Sequence, residues 1–120
     1  MATILVVEDT PANRALATKL LRGAGHEVLL AETAHDGIDL ARAKAPDLVL
    51  MDLGLPDMDG WAALSQLRAD PATAGLQIVA FTAHAMVGDR DRALAAGFDG
   101  YMSKPIEFLT FVDTVTGFLR

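Results

Sequence analysis

Apolar and polar residues fall in alternating blocks along the chain. Five short runs are mostly apolar: Thr3–Val7 (T-I-L-V-V), Glu27–Ala31, Leu48–Met51 (L-V-L-M), Gln77–Phe81 (Q-I-V-A-F) and Asp99–Met102. They are too short for helices, and the longer ones lack strict alternation, so they read as strands, the central ones buried on both faces. Between them lie stretches with apolar residues at helical spacing. These carry Leu16, Leu20 and Leu21; then Ile38, Leu40 and Ala41; then Trp61, Leu64 and Leu67; a fourth covers about 84–96 and a fifth 106–119. The punctuation agrees. Pro11 stands where a first helical turn tolerates proline. Gly23 and Gly25 suit a helix end. Thr33 can cap the second helix, which must stop before Pro46, and Asp59 or Gly60 starts the third, which Pro71 and Gly75 break. Gly97 suits a left-handed cap on the fourth.

Five alternating strand–helix units fill the 120 residues with no linker or repeat. That predicts one α/β domain with a parallel sheet and helices on both faces. Ligands in such sheets bind beyond the carboxyl ends of the strands. Polar residues fall there in this chain: Glu8 and Asp9 after the first strand, Asp52 after the third, Thr82 after the fourth and Lys104 after the fifth.

Composition narrows the options. A hydrophobic fraction of 52% against 22% charged is that of a globular domain. The absence of cysteine excludes disulfides, thiolate nucleophiles and cysteine-based zinc sites. A net charge of −6 with scattered Lys and Arg argues against direct nucleic-acid binding. No apolar run is long enough for a membrane span, and Glu8 interrupts the first apolar run, so neither an anchor nor a secretory signal is expected. The expected location is cytoplasmic.

Three carboxylates in one crevice repel each other, and a hard cation resolves the conflict. Magnesium takes one or two carboxylates and keeps several waters. With it in place Asp52 can stay ionised and attack a phosphoryl group. Lys104 can stabilise the charge on the transferring group, and the Thr82 hydroxyl can donate to a phosphoryl oxygen.

Four fragments now carry a family resemblance: V-V-E-D (6–9), L-M-D-L-G-L-P-D-M-D-G (50–60), A-F-T-A (80–83) and G-Y-M-S-K-P-I (100–106). In this order and at these spacings, the chain resembles the receiver domains of two-component response regulators, the CheY-like superfamily, from residue 3 to about 119. The resemblance implies a flavodoxin-like (βα)5 fold with strand order 2-1-3-4-5. It makes Asp52 the phosphoacceptor, with Glu8, Asp9, Asp52 and the backbone carbonyl of Gly54 as Mg2+ ligands. Thr82 becomes the switch hydroxyl, Tyr101 the aromatic that moves with it, and Lys104 the phosphoryl contact, with a cis Lys104-Pro105 peptide. His84 becomes a candidate modulator of hydrolysis. The implied phosphoryl donor is a phosphohistidine on a histidine kinase or histidine phosphotransfer protein, and a downstream protein target reads the result.

The protein is thus expected to be a signalling switch rather than an enzyme acting on outside substrates. Phosphorylation is expected to reshape the surface of helix four, strand five and helix five. There Phe108, Val112 and Leu119 form a second apolar stripe beside Phe111, Val115 and Phe118, a candidate partner face; a monomer or weak homodimer is expected. The stretch T-A-H-A-M-V-G-D (82–89) resembles single-domain regulators of the DivK type and also receivers of hybrid kinases. Met1 at the start favours a free-standing or N-terminal receiver, with excision from a larger response regulator or hybrid histidine kinase as the alternative. Two other classes compete less well. A flavodoxin-like ligand binder would want a Ser, Thr and Gly-rich loop where E-D-T-P-A-N stands. An aspartyl phosphatase would want a carboxylate two residues after Asp52, where Gly54 stands.

Overall fold

A computed structural model describes residues 2–83, 88–104, 106–107 and 109–119. The elements run β1 (Thr3–Val7), α1 (Pro11–Gly23), β2 (Glu27–Ala31), α2 (Ala34–Lys44), β3 (Leu48–Asp52), α3 (Gly60–Ala69), β4 (Ile78–Thr82), α4 (Asp89–Ala96), β5 (Gly100–Ser103) and α5 (Phe111–Gly117). All strand pairs are parallel, in the order β2-β1-β3-β4-β5. This is the flavodoxin-like (βα)5 arrangement the sequence led us to expect.

The apolar runs explain the layers. Side chains alternate across a strand. Leu5, Val7, Val49, Met51, Ile78 and Ala80 face one way, onto α2, α3 and α4. Ile4, Val6, Leu48, Leu50, Val79 and Phe81 face the other way, onto α1 and α5. Both faces are covered, so every residue of β3 and β4 is buried, including Asp52 and Thr82.

Helix starts follow local chemistry. Thr33 accepts from the Asp36 N–H at 3.1 Å, and Asp59 accepts from the Ala62 N–H at 2.8 Å. Pro11 occupies the first turn of α1, and Gly97 ends α4 with φ 115°.

The boundaries of β3, β4, β5 and the last helix differ from the sequence reading; β3 runs on through Asp52 and β5 through Ser103. β5 begins at Gly100 because Asp99 serves as its entrance: its carboxylate accepts from the Ile78 N–H at 2.8 Å and from Arg68 Nη2 at 2.8 Å. β4 begins at Ile78 and includes Thr82. The last helix is shorter than the expected 106–119. Ile106 and Glu107 are not helical, and a turn through Thr110 precedes Phe111, whose N–H donates to the Glu107 carbonyl at 2.8 Å. The physical reason is a local turn: the Thr110 N–H donates to the same Glu107 carbonyl at 3.1 Å, and the helix begins only beyond it. The expected start of the fourth helix near His84 lies outside the described residues.

Gly60 shows why the loop after β3 ends in Asp-Gly. A Cβ there would lie 2.6 Å from the Asp52 carbonyl oxygen and 2.8 Å from the Leu53 Cα, both backbone atoms that cannot swing away. The Gly60 N–H also donates to the Leu53 carbonyl at 3.0 Å. Gly60→Ala is therefore expected to destabilise the fold by about 3 kcal/mol or more, as overpacking against backbone does. Urea unfolding with an unchanged m-value checks it.

Candidate functional site

The strand register assembles the site. Val7 pairs with Met51, so the next residues, Glu8 and Asp52, stand side by side at the ends of β1 and β3. Thr82 pairs with Ser103 at the ends of β4 and β5, which sets Lys104 one residue beyond. The Lys104 N–H donates to the Thr82 carbonyl at 2.8 Å, so the lysine turns back over the sheet end.

Its side chain is buried. Nζ lies 3.1 Å from Asp52 Oδ2, is ion-paired with Glu8 Oε1, and sits 5.1 Å from the centre of the Phe81 ring. Asp9, Asn13, Asp52, Gly54, Thr82 and Lys104 line a half-open cleft of about 250 Å³. Carboxylate oxygens of Glu8, Asp9 and Asp52 all fall within 4.8 Å of one another, with Glu8 and Asp52 buried and Asp9 exposed. The Gly54 N–H donates to Asp52 Oδ1 at 3.0 Å and holds the carboxylate plane.

Burial drives the titration of this group. It pushes Glu8 up to about 7, and the neighbouring Asp52 carboxylate adds to the rise while Lys104 opposes it. Burial also pushes Asp52 up, but a hydrogen bond from a protonated Glu8, the Gly54 N–H and Lys104 together carry it below its ordinary value. Asp52 is thus the group kept ionised and Glu8 the group that takes the proton. Glu8 binds its proton more tightly folded than unfolded. Its contribution to stability is therefore present below its ordinary value of 4.5 and lost as pH rises through about 7. For the metal-free protein, the melting temperature is expected to be lower at about pH 8 than at about pH 5 from this group, and Glu8→Gln is expected to remove that part of the fall.

The site also fits a hard cation. When ionised, Glu8 Oε2 is buried with no hydrogen-bond donor among the described residues. A buried carboxylate oxygen facing two more carboxylates, with no donor of its own, is an oxygen-ligand set suited to Mg2+.

Other expected residues are placed as follows. Tyr101 is half-buried against the core face that carries α4, and its hydroxyl has no partner among the described residues. Burial, with Asp89 nearby, raises its pKa. Val112 and Leu119 are half-buried, and Leu119 packs against the α1–α5 core face. Phe108, His84 and Pro105 lie outside the described residues.

Sequence reading passed over three residues. Asn13 lines the cleft. Arg14 donates to the Glu8 carbonyl at 2.9 Å and pairs with Glu32 at 3.2 Å. Asp57 reaches across to α2. The signal for the first two was Pro11, which fixes the start of α1 and so puts residues 13 and 14 one turn in, beside the strand ends.

The comparisons with known proteins agree with this geometry. The family described as the response regulator receiver domain matches residues 4–116. The polar-differentiation response regulator DivK of Brucella ovis is 34% identical over 117 residues, covering 98% of this chain and 95% of that protein. The receiver domain of the sensor histidine kinase PA1611 of Pseudomonas aeruginosa, solved with a magnesium ion coordinated in its active site cleft, superposes with a TM-score of 0.87 at 32% identity, covering 98% of this chain and 96% of that one. CheY4 of Vibrio cholerae shares the fold with a TM-score of 0.91 at 24% identity, over 99% of both chains. The chain is a receiver domain and belongs to the response regulator receiver family of two-component systems.

Proposed function

We propose that Asp52 accepts a phosphoryl group in a two-component phosphorelay and that the resulting aspartyl phosphate is the signal. One observation carries this reading: Asp52 is buried and lies 3.1 Å from the Lys104 ammonium with two more carboxylates within 4.8 Å, in surroundings that hold its carboxyl below the ordinary value. A carboxylate in that setting is a nucleophile with its cation already in place.

The donor is a phosphohistidine on a histidine kinase or phosphotransfer protein. An Asp52 oxygen forms the new P–O bond as the P–N bond breaks, and the departing imidazole keeps the bonding electron pair. Hydrolysis by water later returns the carboxylate and inorganic phosphate. Mg2+ held by Glu8, Asp9, Asp52 and the Gly54 carbonyl would supply the positive charge that the phosphoryl oxygens need. Lys104 then exchanges its contact with Asp52 for one with a phosphoryl oxygen. Thr82, buried beside it, turns its hydroxyl toward the phosphoryl group. Tyr101 follows into the space vacated, and the face made by α4, β5 and α5 changes shape for a downstream protein. Leu94 and Leu109, exposed near that face, belong to what a partner would touch. On this reading the protein is a cytoplasmic switch that promotes its own phosphorylation and dephosphorylation, and it turns over no outside substrate. A free-standing regulator and a kinase-borne receiver use the same chemistry, and the likeness to both DivK and the PA1611 receiver accommodates either.

The test is intact mass after incubation with acetyl phosphate, with and without MgCl2, followed by peptide mapping. A single magnesium-dependent phosphoryl adduct on Asp52 is expected. No adduct under either condition would overturn the reading.

A further inference from the structure

The loop after the phosphoacceptor, residues 53–59, is staked at both ends. Leu55 is buried in the core, the Gly60 N–H donates to the Leu53 carbonyl, and Asp59 caps α3. Between these stakes Asp57 reaches sideways to another element. Its Oδ1 accepts from the Ala34 N–H at 2.9 Å, and its Oδ2 accepts from the His35 N–H at 3.0 Å and also contacts the His35 ring Nδ1.

Those donors belong to the first turn of α2. Thr33 Oγ1 takes the Asp36 N–H, and the Thr33 carbonyl takes the Gly37 N–H at 3.0 Å. The N–H groups of Ala34, His35 and Asp36, which have no partner within α2, are thereby all satisfied, two of them by a residue from another loop. A carboxylate there also meets the positive end of the helix dipole. Burial would raise the Asp57 carboxyl, but the Ala34 and His35 N–H groups and the His35 ring hold it well below the usual carboxylate range, so it grips as an anion.

We propose that Asp57 is a positioning residue for the acidic cleft: by gripping the first turn of α2 it holds the loop in the shape that presents Gly54 to Asp52 and to a bound divalent cation. The proposal rests on the reading of the cleft as a magnesium-dependent phosphoacceptor site. Gly54 is three residues from Asp57, and its N–H already donates to Asp52. A loop released from α2 lets the next peptide plane, Gly54–Leu55, which carries the Gly54 carbonyl, rotate as well, and the metal would lose that aligned ligand. A residue that merely capped α2 would change stability and leave the cleft alone.

The test uses the full chain as wild type, Asp57→Ala, Asp57→Asn and His35→Ala. Magnesium affinity is measured by calorimetry with MgCl2, stability by thermal unfolding, and loop order by hydrogen exchange at the Gly54 amide. Asp57→Ala is expected to weaken magnesium binding about tenfold, as loss of an outer support does. It should also speed exchange at Gly54 while β3 amides stay protected. Phosphoryl uptake from acetyl phosphate should slow at limiting magnesium and recover at saturating magnesium. Asp57→Asn keeps one acceptor oxygen and should fall between; it carries the test if the alanine variant does not fold. His35→Ala should weaken binding less than Asp57→Ala, since both backbone N–H groups remain. Variants with lower melting temperatures but wild-type magnesium affinity would overturn the positioning role and leave only a helix cap. Wild-type protein that binds no magnesium would overturn the proposed function itself, and the role of Asp57 with it.

Discussion

Asp52→Asn is expected to take up no phosphoryl group from acetyl phosphate at any magnesium concentration, and yet to be at least as stable as wild type. An amide nitrogen and its carbonyl oxygen are not nucleophiles toward phosphorus at neutral pH, so the loss should be complete. Stability should move the other way. The cluster holds three carboxylates against one ammonium. Replacing one carboxylate by an isosteric amide removes repulsion that Glu8 meets by holding its proton up to about 7. Glu8 can then ionise against Lys104 without a second anion beside it. A gain of about 1 kcal/mol, a few degrees in melting temperature, is the expected size near neutral pH. Residual adduct on the Asp52→Asn variant, mapped to another residue, would show that the nucleophile has been misassigned.

Lys104→Ala should produce the second largest effect. The ammonium contacts both Glu8 and Asp52 from a buried position. Removing it takes away the fixed cation at the transferring group, and phosphoryl uptake should slow by about 10²–10³, the scale of losing one aligned donor to developing negative charge. Magnesium should still bind, and more tightly, because a competing positive charge has gone. The folded state should suffer as well, since breaking a buried ion pair strands its partners. That loss has a direction in pH. Lys104 opposes the rise in the Glu8 pKa, so the variant keeps Glu8 protonated to higher pH than wild type; the deficit is smallest at low pH, where both hold the proton, and grows as pH rises through about 7, where wild-type Glu8 gives it up. Melting curves of variant and wild type across that range, with uptake followed by mass at saturating magnesium, separate the catalytic loss from the structural one. Normal uptake by the variant would remove Lys104 from the chemistry.

Much of the site was legible because its residues are strand terminators. A run such as L-V-L-M reads as a buried strand, and the first polar residue after it falls at the end of the sheet. Glu8, Asp52 and Thr82 were placed at strand ends that way, and Lys104 just beyond Ser103. The helix caps were legible too, since Thr33 and Asp59 act on N–H groups three residues away. The last helix misled because Phe111, Val115 and Phe118 lie at helical spacing and the segment from Ile106 to Leu109 before them is largely apolar too, while Leu109 is 87% exposed on a turn. Apolar spacing reports a face only once something packs against it.

Asp57 illustrates the other limit. In P-D-M-D-G it reads as one more turn residue. Nothing within ten residues of it in the chain shows that its carboxylate will close the N-terminus of α2, because the partners lie 22 and 23 positions away. The same holds for Lys104, which lies 52 residues from the carboxylate it neutralises.

The sequence by itself determined which segments are strands, which helices alternate with them, and which polar residues stand at the strand ends, since those depend on periodicity, caps and breakers acting over a few residues. The family resemblance carried the strand order that sets β1 beside β3, but only the tertiary structure decided that Glu8 shares a proton site with Asp52, that Lys104 folds back to pair with both, and that Asp57 ties the active loop to α2. Those are contacts between distant positions. Strand order and sheet register create them, and local pattern carries no record of either.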